Sequence, residues 1–296
     1  MRRASLFFVC MLLAAPVWAA EPASPATQST PVAPATVTDA NANPLGMDAQ
    51  SGPLEVTAQQ SLEWHENEQM YRALGDAQAK RGDVTIGAHE LRAFQRAGAG
   101  GKKEIFKFAA SGNVQITSRQ QQIFGDDAVY DTDKQLALLT GKSLRFVNPD
   151  ETVTARDALE YWPQKKQAIA RGNAVAVRAD RRVVADRMVA QFRDGAKGGL
   201  DLQQLIAEGH VVITTKTDVA RGDKAVYDLA GNKAHLTGKV SITRGASQLV
   251  GSAAEVDFKT GVSRMTAGGK DGRVQALFVP DANKGTNAVT LPGQKP

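Results

Sequence analysis

GNVQITSRQQQIFGDDAVYDTDKQLALLTGK, residues 112–142, and GHVVITTKTDVARGDKAVYDLAGNKAHLTGK, residues 209–239, are two copies of one pattern. Aligned at an offset of 97 without a gap, they agree at fifteen of 31 positions. Unrelated stretches of ordinary composition would agree at about two. GDDAVYD (125–131) meets GDKAVYD (222–228), and LTGK (139–142) meets LTGK (236–239). The same step of 97 links Gly75 to Gly172 and Gly141 to Gly238.

Six glycines, Gly75, Gly112, Gly141, Gly172, Gly209 and Gly238, therefore mark units of about thirty residues, in two sets of three. About thirteen residues after most of them stands a second marker, Gly125, Ala185, Gly222 or Gly251, often followed by Asp. Each unit reads as strand, turn, strand, turn, and a repeat of that size signals an array whose units bury their apolar faces by stacking. The period within units is two. Val114 and Ile116 alternate with Asn113, Gln115 and Thr117, and Val240 and Ile242 with Lys239, Ser241 and Thr243. Val211 and Ile213 alternate less cleanly, because Val212 faces outward. Ala225, Tyr227 and Leu229 share a face, as do Ala254, Val256 and Phe258. Alternation of β-branched residues predicts half-buried strands, hence an all-β fold of stacked antiparallel strands in two layers. The one weak helical pattern lies over residues 200–208.

Outward from the repeat, the flanks change character. Arg2 and Arg3, an apolar run over residues 6–15 and Val17-Trp18-Ala19 form the three parts of a secretory signal peptide, residues 1–19. The run is too short for the roughly 30 Å of a bilayer core. Cleavage after Ala19 removes Cys10, the only cysteine, so the mature chain must be stable without disulfides. Residues 20–53 are rich in Pro, Ala, Thr and Ser and predict a disordered linker, as does the tail, 281–296. The folded part is thus 54–280, about six repeat units. The mature chain carries 34 Lys and Arg against 31 Asp and Glu, a surplus of +3, which a solvated surface explains without an anionic partner.

Residue chemistry argues against catalysis and cofactors. His65, His89, His210 and His235 are scattered without metal-ligand spacing. Asp126, Asp127, Asp131, Asp223 and Asp228 recur at turn and outward positions, which suits turn formation better than a paired-carboxylate or calcium site. Residues 98–101, GAGG, read as a hairpin loop, because no helix start or Lys-Ser/Thr follows to cradle phosphate. Trp64 and Trp162 read as core or rim aromatics, so no nucleic acid is expected.

The A-x-G-N-V, G-D-x-A-x-Y-D and L-T-G units resemble the organic-solvent-tolerance (OstA) family of LptA-like periplasmic lipopolysaccharide-transport proteins. PLEVTAQQSLEWHENEQMYRALGDAQAKRGDV (53–84) resembles the family's first strands, and QLVGSAAEVDFKTGVSRM (248–265) with GRVQALFVP (272–280) its end. The likeness covers residues 53–280. It implies an open β-jelly roll whose two twisted sheets hold the acyl chains of lipopolysaccharide. It also implies an LptC-like partner at the N-terminal edge and an LptD-like partner at the C-terminal edge, joined head to tail. This chain departs from shorter members by its extra units, which leaves self-association open.

Aromatic residues are only 6% of the chain and inner positions are often Ala, Val or Thr, so room is expected between the sheets. An acyl chain there gains about 0.8 kcal/mol per buried CH₂. The expected lipid face comprises Val114, Ile116, Tyr130, Val211, Ile213, Tyr227, Leu229, Val240, Ile242, Val256 and Phe258. Residues 54–65 and 273–279 are the expected end strands, free to pair with another chain. About fifteen strands shared between two sheets, at about 4.8 Å each, predict a stack of about 35–40 Å. The competing readings are a structural β-solenoid or adhesin repeat without lipid and the periplasmic portion of an LptD-like protein.

Overall fold

The computed structural model describes residues 54–195, 200–257, 259–260, 262–267 and 272–279. The expected signal peptide, linker and tail lie outside these residues, as does Phe258.

Among the described residues the chain is a continuous antiparallel meander with no α-helix. Ten strands are long and cross a corner without a break. They are β3 (Met70–Arg81), β4 (Val84–Ala97), β5 (Lys103–Thr117), β6 (Gln122–Asp131), β11 (Gln167–Arg178), β12 (Arg181–Asp194), β13 (Leu200–Thr214), β14 (Asp218–Asp228), β15 (Lys233–Arg244) and β16 (Ser247–Asp257). Eight shorter strands form the two halves of four further rungs. These are β1 (Glu55–Thr57) with β2 (Ser61–His65), β7 (Leu136–Thr140) with β8 (Leu144–Val147), β9 (Glu151–Ala155) with β10 (Ala158–Trp162), and β17 (Val262–Thr266) with β18 (Gln275–Leu277). The hairpin at residues 98–102 carries one short 3₁₀ turn, as expected for GAGG.

The corner is built by the repeated glycines. Gly75, Gly112, Gly172, Gly209 and Gly238 have φ of 77–85°, and Gly141 has 142°. The residue after each of the first five, Asp76, Asn113, Asn173, His210 and Lys239, is also left-handed, with φ of 40–52°. Pairing breaks register at these points, for instance between Ser111 and Val114 on β5 and between Glu208 and Val211 on β13. A bulge at the same place in successive strands bends every strand, so one ribbon of strands becomes two facing sheets. The second marker completes the corner from the neighbouring rung: Asp186 lies against Gly209 and Asp223 against Gly238. The Lys142 backbone N–H donates to Asp126 Oδ2 at 2.8 Å.

One sheet therefore contains β2, the first half of β3, the second half of β4, and so on through β7, β10 and β17. The other contains β1, β8, β9, β18 and the complementary halves. Their facing sides meet in one core, with Ala110, Tyr130 and Leu139 of the first sheet packed among Ile116, Ile123 and Leu144 of the second. This is an open β-jelly roll, the architecture implied by the family resemblance and consistent with the stacked strands expected from the repeat.

Residues 200–208, which carry the one weak helical pattern in a chain expected to be all-β, are part of β13, because the neighbouring strands β12 and β14 provide a full ladder that this pattern cannot outweigh. One expectation changes: the stack is longer than expected. Each rung contributes to both sheets, so the fourteen rungs add in full, and thirteen gaps of about 4.8 Å give about 62 Å.

Candidate functional site

Strand pairing decides which side chains look inward. Across the first sheet, Ala93, Phe108, Tyr130 and Ala137 lie opposite one another on successive strands. On the second, Ala79, Ile86, Ile116 and Ile123 do the same. The two rows face each other across a cavity of about 430 Å³ in the N-terminal unit, lined by Tyr71, Ile86, Phe108, Ile116, Tyr130 and Leu139, among others. That volume is typical of a small-ligand site. Most of its lining is aliphatic or aromatic, with Glu63, Arg72 and Arg92 as the charged members, so it suits a largely apolar guest. The GDxAxYD motif explains part of this shape. Gly125 and Gly222 leave space for Leu144 and Leu236 of the next rung, and the small side chain of Ala128 leaves room on the inner face of the cavity. Tyr227 donates its hydroxyl hydrogen to Asn232 Oδ1 at 3.0 Å, and Asp131 and Asp228 accept backbone N–H bonds that close their hairpins.

The expected lipid-face residues fall into groups. Ile116 and Tyr130 line the cavity. Val114, Val211 and Val240 face inward but are packed against the corner, at 1%, 1% and 0% exposure, and offer no wall to a guest. Ile213 and Ile242 are partly buried against the core. Tyr227 and Val256 share the inward row and are half-buried. Leu229 is half-buried just past the end of β14 at Asp228, in the following turn, where its N–H donates to Gln203 O at 3.1 Å. The turn begins because Asp228 caps it. Sequence reasoning missed Ile86, Phe108 and Leu139, although extending the alternation of Val114 and Ile116 to neighbouring strands would have found them.

Both ends of the slot are apolar. Leu54, Val56, Leu62 and Trp64 are exposed on the first rung, Leu62 at 63%. Trp64 packs at a tilt against exposed Tyr71, with ring centroids 4.5 Å apart and planes at 41°. At the other end Val262, Leu277, Phe278 and Val279 are exposed, Phe278 at 73%. Among the described residues, β1 and β2 pair only inward with β3, and β17 and β18 only with β16, so these rungs present unpaired backbone edges.

The described residues thus form an open two-sheet antiparallel β-protein with an apolar cavity between its sheets. Residues 55–159 and 152–262 each match the family described as LptA/(LptD N-terminal domain) LPS transport protein, and the chain belongs to that family. The two matches overlap at residues 152–159, the rung of β9 and β10. A curated relative, an uncharacterized protein of Rhizobium meliloti (strain 1021), is 25% identical over 148 residues, 48% of this chain and 78% of its own. Among solved structures, LptH of Pseudomonas aeruginosa is described as the LptA homologous periplasmic component of the lipopolysaccharide transport device. It is 15% identical, with a TM-score of 0.38, covering 44% of this chain and 95% of LptH.

Proposed function

We propose that this protein is a periplasmic bridge that carries lipopolysaccharide, without catalysis, from an LptC-like protein at its N-terminal edge to an LptD-like protein at its C-terminal edge. Acyl chains lie in the slot and the headgroup stays at its mouth. The observation that carries this reading is the apolar interior whose first and last rungs both expose large apolar side chains. Burying a twelve-carbon chain gains about 10 kcal/mol at about 0.8 kcal/mol per CH₂, enough to offset much of the cost of ordering it. The signal-peptide pattern of residues 1–19 supports export to the periplasm.

The chain itself contains a worked example of end-to-end joining. LEVTAQQSLEWH (54–65) and ETVTARDALEYW (151–162), 97 residues apart, share Val, Thr, Ala, Leu and Glu in register. The second copy, β9 and β10, is an interior rung, pairing with β8 and β7 of the preceding unit. The first copy, β1 and β2, is an end rung of the same type with an open edge. It therefore suits a partner strand that ends like β7 and β8, which is the geometry expected of a neighbouring jelly roll.

Depletion of the protein, followed by locating newly made lipopolysaccharide, tests the role. Accumulation at the inner membrane is expected; undisturbed arrival at the outer membrane would refute transport.

A further inference from the structure

The repeat lets each unit serve as the control for the other, because strand register puts residues 97 apart at matching places. On the outer side of the second sheet, Gln78, Gly87 and Gln115 lie opposite one another on β3, β4 and β5. Their counterparts Val175, Val184 and Val212 do the same on β11, β12 and β13. One row nearer the hairpin rim, Lys80 and Gln122 correspond to Val177 and Val219. Five outward positions that are glutamine, lysine or glycine in the first unit are thus valine in the second. Val183 and Ile213 pack against the core, so Val184 and Val212 point away from it. All five valines keep contact with solvent, and Val177 is 37% exposed. Phe124, whose counterpart is Arg221, is the reverse case, and the Arg145 guanidinium roofs it at 4.5 Å from the ring centroid.

A contiguous apolar patch where the sister unit is polar marks a face that something covers. The charges around the valines say what. On β12, exposed Arg182 stands on the rim side of Val184 and exposed Asp186 on the corner side, where the first unit has Thr85 and His89. On β14, Val219, Arg221 and Asp223 follow one another from rim to corner, and both charged residues are exposed. An anionic lipid surface or a polyanion would meet Asp186 and Asp223 together with the arginines. A face with a valine centre, a cation toward one margin and acids toward the other is instead complementary to itself after a half-turn that sets rim against corner. Small β-branched side chains also let two sheet faces approach to about 10 Å with their strands roughly aligned. The area suffices. Strands β9 and β11–β16 span about 29 Å, and each contributes a half-strand of about 20 Å, so a pair of copies covers roughly 1,200 Å², the lower end of stable specific interfaces.

We infer that the outer face of the second sheet in the C-terminal unit pairs with the same face of a second copy, forming a two-fold dimer. With the axis along the stack, the two slots run side by side in the same sense. The valine face lies on the opposite side of its sheet from the slot and leaves both end rungs uncovered. Side-by-side pairing is therefore separate from end-to-end joining and stands whether or not the slot carries lipid.

The test uses the mature chain, residues 20–296, which lacks Cys10, the one cysteine of the sequence. Sedimentation over a concentration series is expected to show a monomer–dimer step. V175Q/V212Q/V219Q places the first unit's own outward residue type at these positions, which the fold accepts there, and should weaken the dimer by about tenfold or more. Q78S/Q115S/Q122S, on the matching face of the first unit, should leave it unchanged. With a short bismaleimide, V212C should give a covalent dimer and Q115C should not. A dimer as strong in V175Q/V212Q/V219Q as in wild type, equal cross-linking at the two cysteines, or a wild type that stays monomeric overturns the pairing. An open-ended series of species that the triple change leaves intact marks end-to-end joining alone and overturns it too. So does a monomer that binds phosphatidylglycerol vesicles and loses them with the valines, which marks a lipid surface as the occupant.

Discussion

A Cβ at Gly209 would overlap the Asp186 carboxylate, and φ at that glycine is 77°, where an L side chain is strained. Gly209→Ala is therefore expected to destabilise the fold by about 2 kcal/mol or more, measured by urea unfolding; a change within about 0.5 kcal/mol would contradict the corner's role. Lys239 holds φ of 47° one residue after Gly238, a conformation asparagine tolerates better. Lys239→Asn should raise the unfolding midpoint slightly, and a fall would count against the same account. Asp218, 3% exposed, offers a test through pH. Burial alone would raise its carboxyl, but Arg244 and the Thr217 hydroxyl bring it below the usual value. A lowered folded-state value contributes stability that is present above the unfolded carboxylate value of about 3.9 and lost as pH falls through the folded one. Arg244→Met should cost about 3 kcal/mol at pH 7, and the deficit should shrink in acid as the stranded carboxyl protonates. A deficit that stays constant down to pH 3 would argue that packing, not charge, holds this pair.

At the scale of elements, the strands and their corners were legible in the sequence because both leave local marks. Alternation at Val114 and Ile116 reports a face buried by the strand itself, and glycine at 112, 209 and 238 reports a backbone that other residues resist. What was not legible depends on neighbours. Val114 and Ile116 alternate identically, yet one is sealed at the corner and the other lines the cavity, a difference set by distance from the bulge. The turn at Leu229 follows from a hydrogen bond of Asp228 rather than from hydropathy. The sheet edges allow a register prediction. Within the chain, Leu159, Glu160 and Tyr161 of β10 pair with Leu139, Leu138 and Ala137 of β7. Met265 and Arg264 of β17 stand on their sheet rows where Leu139 and Leu138 stand on theirs. If copies join as the two units do, Leu62 falls opposite Met265 and Glu63 opposite Arg264. E63R and R264E should each weaken association of copies in analytical ultracentrifugation, and E63R mixed with R264E should restore it. Failure of the mixture to recover would exclude this register.

For the molecule as a whole, the decisive property is continuity. Two family-type units share one uninterrupted pair of sheets through the rung of β9 and β10, about 62 Å in all, so a guest meets no strand edge at the junction. The interior sets small residues, among them Ala110, Ala128, Ala170, Ala176 and Ala207, between larger ones such as Ile116, Tyr130 and Leu139, and further large apolar side chains are exposed on the first and last rungs. Photo-crosslinking compares both units directly. A probe at Ile116 or Ile213, on the inward rows, is expected to capture lipopolysaccharide in cells, while probes one residue away at Gln115 or Val212, on the outer face, are not. Equal capture at inner and outer positions, or none at Ile116, would contradict a lipid-filled slot between the sheets.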